Sequence, residues 1–138
     1  MEYTNTKNGN DIGIDISAKF VEWCKKWGND YHGHFAITLT TKDGSESFDF
    51  YGSVYDASHN KTALTEDDLK HALECILSDA LAGIDSFEEF CGNFGYDEDS
   101  RSAERIHNAC KETTTKINAL GISEDEIYSI LNDLNGDN

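Results

Sequence analysis

The chain has 138 residues, 27 acidic and 11 basic, for a formal charge of −16. That sign excludes tight direct binding to nucleic acid, which needs cationic neutralisation, and it disfavours an anionic membrane surface; what such a chain attracts is a basic protein. With 38% apolar and 11% aromatic residues, residues 1–138 read as one globular domain that buries roughly 65–70% of its unfolded surface, with 1–10 and 135–138 expected to fray.

Taken in chain order, Ile16, Phe20, Trp23, Cys24 and Trp27 recur at three- and four-residue intervals, which predicts a first helix over 15–27 ending at Gly28. Phe35, Ile37 and Leu39 then alternate with Ala36, Thr38 and Thr40, as in a half-buried strand. With Asp43-Gly44 as a type I′ turn, strands over 34–41 and 46–52 form a hairpin in which Leu39 opposes Phe48 and Ile37 opposes Phe50. Phe35, Ile37, Leu39, Phe48 and Phe50 are expected to lie beneath helices.

After the polar stretch Asp56–Lys61, Thr65 and Asp68 form a capping-box pattern ahead of Leu69, Ala72, Leu73, Ile76, Leu77, Ala80 and Leu81, a helix over 66–82. Ser86 with Glu89 caps a short helix carrying Phe87, Phe90, Cys91 and Phe94 and stopped by Gly95. Asp99 is placed to cap the next, with Ala103, Ile106, Cys110 and Ile117 inward and Gly121 at its end. Ser123 with Glu126 opens a last helix holding Ile127, Ile130, Leu131 and Leu134. The expected class is α+β: a small antiparallel hairpin or sheet packed on four to five α-helices.

Charge is unevenly divided. Residues 1–63 hold 9 acidic and 6 basic side chains, net −3, whereas 64–138 hold 18 and 5, net −13. The acidic groups Glu66-Asp67-Asp68, Asp85 with Glu88-Glu89, Asp97-Glu98-Asp99 and Glu124-Asp125-Glu126 gather at predicted helix starts, where carboxylates complement the macrodipole. Dipole complementarity accounts for their positions but not for their excess, because basic residues at the helix ends are scarce and self-repulsion costs stability. Carboxylates on successive helix turns lie about 6 Å apart, a spacing close to that of phosphates along one strand, so these twelve residues are also candidates for an acidic partner-binding face. A solvated surface and a docking surface both fit at this point.

Catalytic and metal chemistry finds little support. Cys24, Cys75, Cys91 and Cys110 are far apart, without a CxxC pair, which predicts reduced, mostly buried thiols. His32 with His34, His71 with Cys75 and His107 with Cys110 have ligand-like spacing, but apolar neighbours favour packing, and no metal or cofactor is expected. Asp97, Asp99 and Arg101 begin like a calcium loop; Ser102 stands where the sharp-turn glycine belongs and Asn108 where the bidentate glutamate does. GxSxG, Walker A and GxGxxG are absent, so no catalytic residue is assigned. Phe87, Phe90, Cys91, Phe94 and Tyr96 read as core, and Asp97, Asp99 and Arg101 as a cap with a local ion pair.

Two stretches, FDFYGSVYD from Phe48 and FEEFCGNFGYDEDSRSAERI from Phe87, together resemble a family of small acidic proteins encoded by bacteriophages and mobile elements. The resemblance extends over most of the chain from Phe35 onward and is weaker over the first 30 residues and over 63–83. Phage accessory proteins of this size resemble anti-CRISPR or anti-restriction inhibitors in being acidic and free of catalytic motifs. The resemblance implies phage origin more firmly than any target; joined to the acidic face of residues 64–138, the analogy with those inhibitors makes the leading expectation a non-enzymatic inhibitor acting in the cytoplasm of a bacterial host, competing for the basic nucleic-acid-binding surface of a defence protein, with a CRISPR effector as first candidate. The alternative is an accessory adaptor or regulator of another protein, its charge serving solubility.

Overall fold

A computed structural model describes residues 1–5, 12–27, 30–52 and 63–136. Four strands, β1 (Glu2–Asn5), β2 (Ile12–Trp27), β3 (Asp30–Thr41) and β4 (Gly44–Tyr51), precede four helices, α1 (Glu66–Ala82), α2 (Phe87–Phe94), α3 (Arg101–Ala119) and α4 (Glu124–Leu134). The strands form an antiparallel meander in the order β1-β2-β3-β4, and one sheet face packs on helices. The class is α+β, as the sequence predicts.

The first predicted helix is instead the long strand β2. Its inward positions begin with period two, Ile14 and Ile16 being buried. Ala18 opposes Ile37 and Phe20 opposes Phe35, after which a register shift between Phe20 and Glu22 changes the phase, so that Trp23 opposes Gly33. Trp23 stands with Phe20, their ring centroids 4.9 Å apart, and Phe20 meets Phe35 at 5.5 Å. A bulge thus places inward residues at 16, 20 and 23, the same intervals as a helix face. Residues 2–5, counted in sequence among fraying ones, form β1, and Tyr3 and Asn5 are buried. Gly28, the Trp27 side chain, residues 6–11, the stretch Asp56–Lys61 and residues 137–138 lie outside the described residues.

The hairpin forms with its faces as expected and its register shifted by two. Leu39 opposes Glu46, Ile37 opposes Phe48, Phe35 opposes Phe50 and Thr41 opposes Gly44, so Lys42-Asp43 is the loop. Gly44, at φ 147, opens β4. A two-residue slip keeps every side chain on its face: Phe35, Ile37, Leu39 and Phe48 are buried and Phe50 is half-buried. The turn is fixed from outside the hairpin. Thr41 Oγ1 accepts from the Asp43 amide at 3.2 Å and donates to the Leu120 carbonyl at 2.7 Å, while the Asp43 carboxylate fills the space beside Gly121. On the solvent face Thr38 pairs with Ser47 and Thr40 with Ser45 through their hydroxyls. At the β4 edge Lys116 lies over the Phe48 ring and donates to the Ser47 carbonyl at 2.8 Å, a cationic cover of the kind that guards open edges.

The helices follow their caps. Thr65 with Asp68, Ser86 with Glu89 and Ser123 with Glu126 each make both bonds of a capping box. The predicted cap Asp99 is displaced by Ser100, whose hydroxyl accepts from the Ala103 amide at 3.2 Å. Ile106, predicted inward, is exposed, and His107 takes the buried place; the inward row of α3 is Ala103, His107, Cys110, Thr114 and Ile117, with Thr114 Oγ1 donating to Ala80 O at 2.6 Å. Helix α1 runs antiparallel to α3, since Gly83 meets Cys110 and Ala80 meets Thr114. Strand and helix residues from Tyr3 to Ile130 make the main core, and Ala82, Phe90, Cys91, Ala103 and Cys110 a second one under α2.

The start of the chain is held by Tyr3, whose hydroxyl donates to Asp133 Oδ2 on α4. Burial first, then the bond to Asp133, pushes the Tyr3 phenol up to about 12. A raised value means that the protonated phenol is favoured in the folded state. Its stabilisation is complete below pH 10, the ordinary tyrosine value, and is lost as pH rises from 10 to 12. Tyr3→Phe should cost about 1–3 kcal/mol at pH 8 and flatten the decline in stability between pH 10 and 12, as read by urea unfolding at each pH. Equal declines in both proteins would remove Tyr3 as the cause.

Candidate functional site

The twelve candidate carboxylates fall into two groups rather than one face. Asp85, Glu88, Glu89, Asp97, Glu98 and Asp99 gather at the C-terminal end of α1, around α2 and the start of α3. Glu66, Asp67 and Asp68 sit at the opposite end of α1, whose 17 residues span about 25 Å at 1.5 Å per residue. Glu124, Asp125 and Glu126 follow the far end of α3, which by the same rise is about 28 Å from its start.

Within these groups the roles differ. Asp68, Glu89 and Glu126 accept bonds from the backbone amides of Thr65, Ser86 and Ser123 at 2.9, 3.3 and 3.0 Å, so their carboxylates are engaged in capping. Asp85, half-buried, accepts from Asn93 Nδ2 at 3.3 Å. Glu88, Asp97, Glu98 and Asp99 are exposed. Between His71 and Ser100 there is no lysine or arginine. Among the described residues the amino terminus pairs with Asp15 at 3.8 Å and His34 Nε2 lies at hydrogen-bond distance, 2.8 Å, from Asp49 Oδ1; the expected pairing of Arg101 with Asp97 or Asp99 is not among the described ion pairs.

The same end of the molecule carries two exposed rings that sequence reasoning assigned to the core. Phe90 and Cys91 are buried and Phe87 half-buried, but Phe94 is 58% and Tyr96 40% exposed. An eight-residue helix has room for one buried stripe, and Phe90 with Cys91 occupies it. Gly95, at φ 75, then turns the chain so that Tyr96 folds back against Phe90. Residue spacing alone places Phe94 one turn from Phe90 and Cys91; its exposure depends on where α3 lies.

The histidine and cysteine pairs have packing roles. His107 Nε2 donates to the Asp85 carbonyl at 2.8 Å, tying α3 to the turn before α2, and its ring rests against Phe90 and Phe87. His71 Nε2 lies 3.6 Å from Cys75 Sγ. His32 and His34 do share the solvent face of β3, on either side of Tyr51, with ring centroids 5.2 and 4.8 Å away, and His34 Nε2 meets Asp49 Oδ1 at 2.8 Å. Among the described residues no three His, Cys, Asp or Glu side chains converge as metal ligands would.

Cys91 and Cys110 are buried thiols, Cys24 and Cys75 half-buried ones. Burial pushes Cys75, Cys91 and Cys110 up, with Asp79 adding to Cys75 and Cys110 and with Glu98 and Asp97 adding to Cys91. The thiolate is the nucleophile, so the upward shift lowers the reactivity of these three at neutral pH. Iodoacetamide at pH 7.5 should label Cys24 well before Cys91 and Cys110, read by peptide mass mapping of the folded protein, with the gap narrowing as pH rises above 9. Labelling of Cys91 first would show that its thiol is neither buried nor held protonated.

No helix among the described residues is long and apolar enough to cross a membrane. Comparison with known protein families, curated proteins and solved structures finds no match for this chain.

Proposed function

We propose that the protein is a phage-encoded, non-enzymatic inhibitor that acts in the cytoplasm of a bacterial host by docking its α2–α3 end on the basic nucleic-acid-binding surface of a defence protein, with a CRISPR effector as the first candidate. The observation that carries this reading is that one short segment, residues 85–99, holds six carboxylates, Asp85, Glu88, Glu89, Asp97, Glu98 and Asp99, together with the exposed rings of Phe94 and Tyr96, and that no lysine or arginine lies between His71 and Ser100. Solubility requires scattered charge; it gives no reason for large rings to stand in solvent within an acidic cluster. Complementary potentials speed encounter and fix register, while exposed aromatics supply the anchor that interfaces use.

The test is target-DNA cleavage by a panel of purified CRISPR effector–guide complexes, with the chain added before DNA. Inhibition of at least one effector is expected, weakening as salt rises because the charges are exposed. The variant carrying Glu88→Gln, Glu89→Gln, Asp97→Asn and Asp99→Asn should lose inhibition by at least about tenfold, since rim charges act chiefly through association rate, with little change in unfolding because glutamine still completes the Ser86 capping box. Full inhibition by that variant, indifferent to salt, would overturn the acidic docking surface and put the adaptor reading first.

A further inference from the structure

Phe90 is almost fully enclosed, 2% exposed. Three rings stand around it: Phe94 at 4.9 Å between centroids, His107 at 4.9 Å, and Tyr96 nearly parallel at 5.8 Å. Phe94 and Tyr96 therefore spend one side on Phe90 and leave much of their remaining surface in water. Their environment is negative: Glu88 and Glu89 lie on the same helix and Asp97, Glu98 and Asp99 follow Tyr96 directly. Tyr51 and Tyr128 are as exposed, but Phe94 and Tyr96 both stand against Phe90; adjoining exposed apolar surface of this kind marks interaction sites, and the acidic sequence beside it selects a cation.

Among protein cations, arginine fits both features. Its guanidinium is planar and weakly hydrated, stacks on aromatic faces and donates two parallel hydrogen bonds to a carboxylate. A lysine ammonium is a strongly hydrated point charge that satisfies only the electrostatics.

Resting on the docking reading above, we infer that Phe94 and Tyr96 anchor an arginine-rich segment of the partner protein, guanidinium groups stacking on the two rings while Asp97, Glu98 and Asp99, next to Tyr96 in the chain, pair with the same cations.

The full chain is titrated with synthetic nona-arginine and nona-lysine at physiological ionic strength, by calorimetry and by NMR of the aromatic protons. In the unaltered protein the Phe94 and Tyr96 ring resonances should shift with nona-arginine and not with nona-lysine. The double variant Phe94→Leu, Tyr96→Leu, which keeps an apolar cover on Phe90, should bind nona-arginine about five- to thirtyfold more weakly, the loss of two exposed cation–π contacts, and nona-lysine within about twofold of the unaltered protein. Tyr96→Phe should retain nona-arginine binding. Unmoved ring resonances overturn the anchor whatever the variants do, as does a leucine variant that keeps its arginine affinity or loses both peptides alike. If the anchor fails while the four-amide variant loses both peptides, the charge-based docking reading survives alone; if neither peptide binds the unaltered protein, both fall.

Discussion

Gly83→Ala is expected to destabilise the protein by about 3 kcal/mol, the upper part of the range for forced overpacking. The sign is the informative part. Gly83 caps α1 at φ −74 and ψ −15, a right-handed conformation open to any residue, and in such a place alanine ordinarily stabilises by about 0.4–1 kcal/mol by restricting the unfolded chain. Here an added methyl would land on the Thr114 hydroxyl and the Cys110 carbonyl. The Thr114 hydroxyl is held at 2.6 Å from Ala80 O and 3.0 Å from Cys110 O, and the carbonyl belongs to helix backbone, so neither can yield without separating α1 from α3. Urea unfolding measures the effect, and a gain in stability would show that α1 and α3 do not meet at this point.

Phe35→Ala should cost about 3–5 kcal/mol, the range for emptying a buried aromatic site. Phe35 is fully buried in the middle of β3, edge-on to Phe20 at 5.5 Å. Its ring also explains Gly33, two residues earlier, where an added Cβ would come within 2.8 Å of the Phe35 ring and 3.3 Å of the Trp23 ring. Loss of Phe35 thus opens the packing of β2 on β3 as well as the core. Thermal or urea unfolding monitored by tryptophan fluorescence reports both, because Trp23 borders the site. A loss below about 1 kcal/mol would mean that the aromatic end of the sheet collapses to fill the space, contrary to the enclosed packing described.

Much of the helical half was legible before any coordinates. The capping boxes at Thr65, Ser86 and Ser123 and the stops at Gly95 and Gly121 act within a few residues, so spacing and side-chain chemistry specify them locally. The cap of α3 is Ser100 rather than its neighbour Asp99, because both offer the same chemistry and the path of the chain into α3 decides between them. For the hairpin, alternation fixed which faces are buried, a property of period two that survives an even slip, whereas the turn was decided by Leu120 and Gly121 arriving against Thr41 and Asp43.

By itself, then, the sequence determined the α+β class, the four helices from Glu66 onward, the inward faces of β3 and β4 and the concentration of negative charge after residue 63, because each is written in local period, caps or composition. Only tertiary structure decided that 12–27 is a strand. Its bulge at Phe20–Glu22 copies helical spacing, and pairing with β3 through eleven residue partners supplies hydrogen bonds that periodicity cannot register. Tertiary packing also chose His107 over Ile106 for the interior, left Phe94 and Tyr96 in solvent and separated the acidic groups to opposite ends of α1 and α3. In each case the outcome depends on which element arrives from elsewhere in the chain, and a helix or strand read alone carries no record of the surface it will meet.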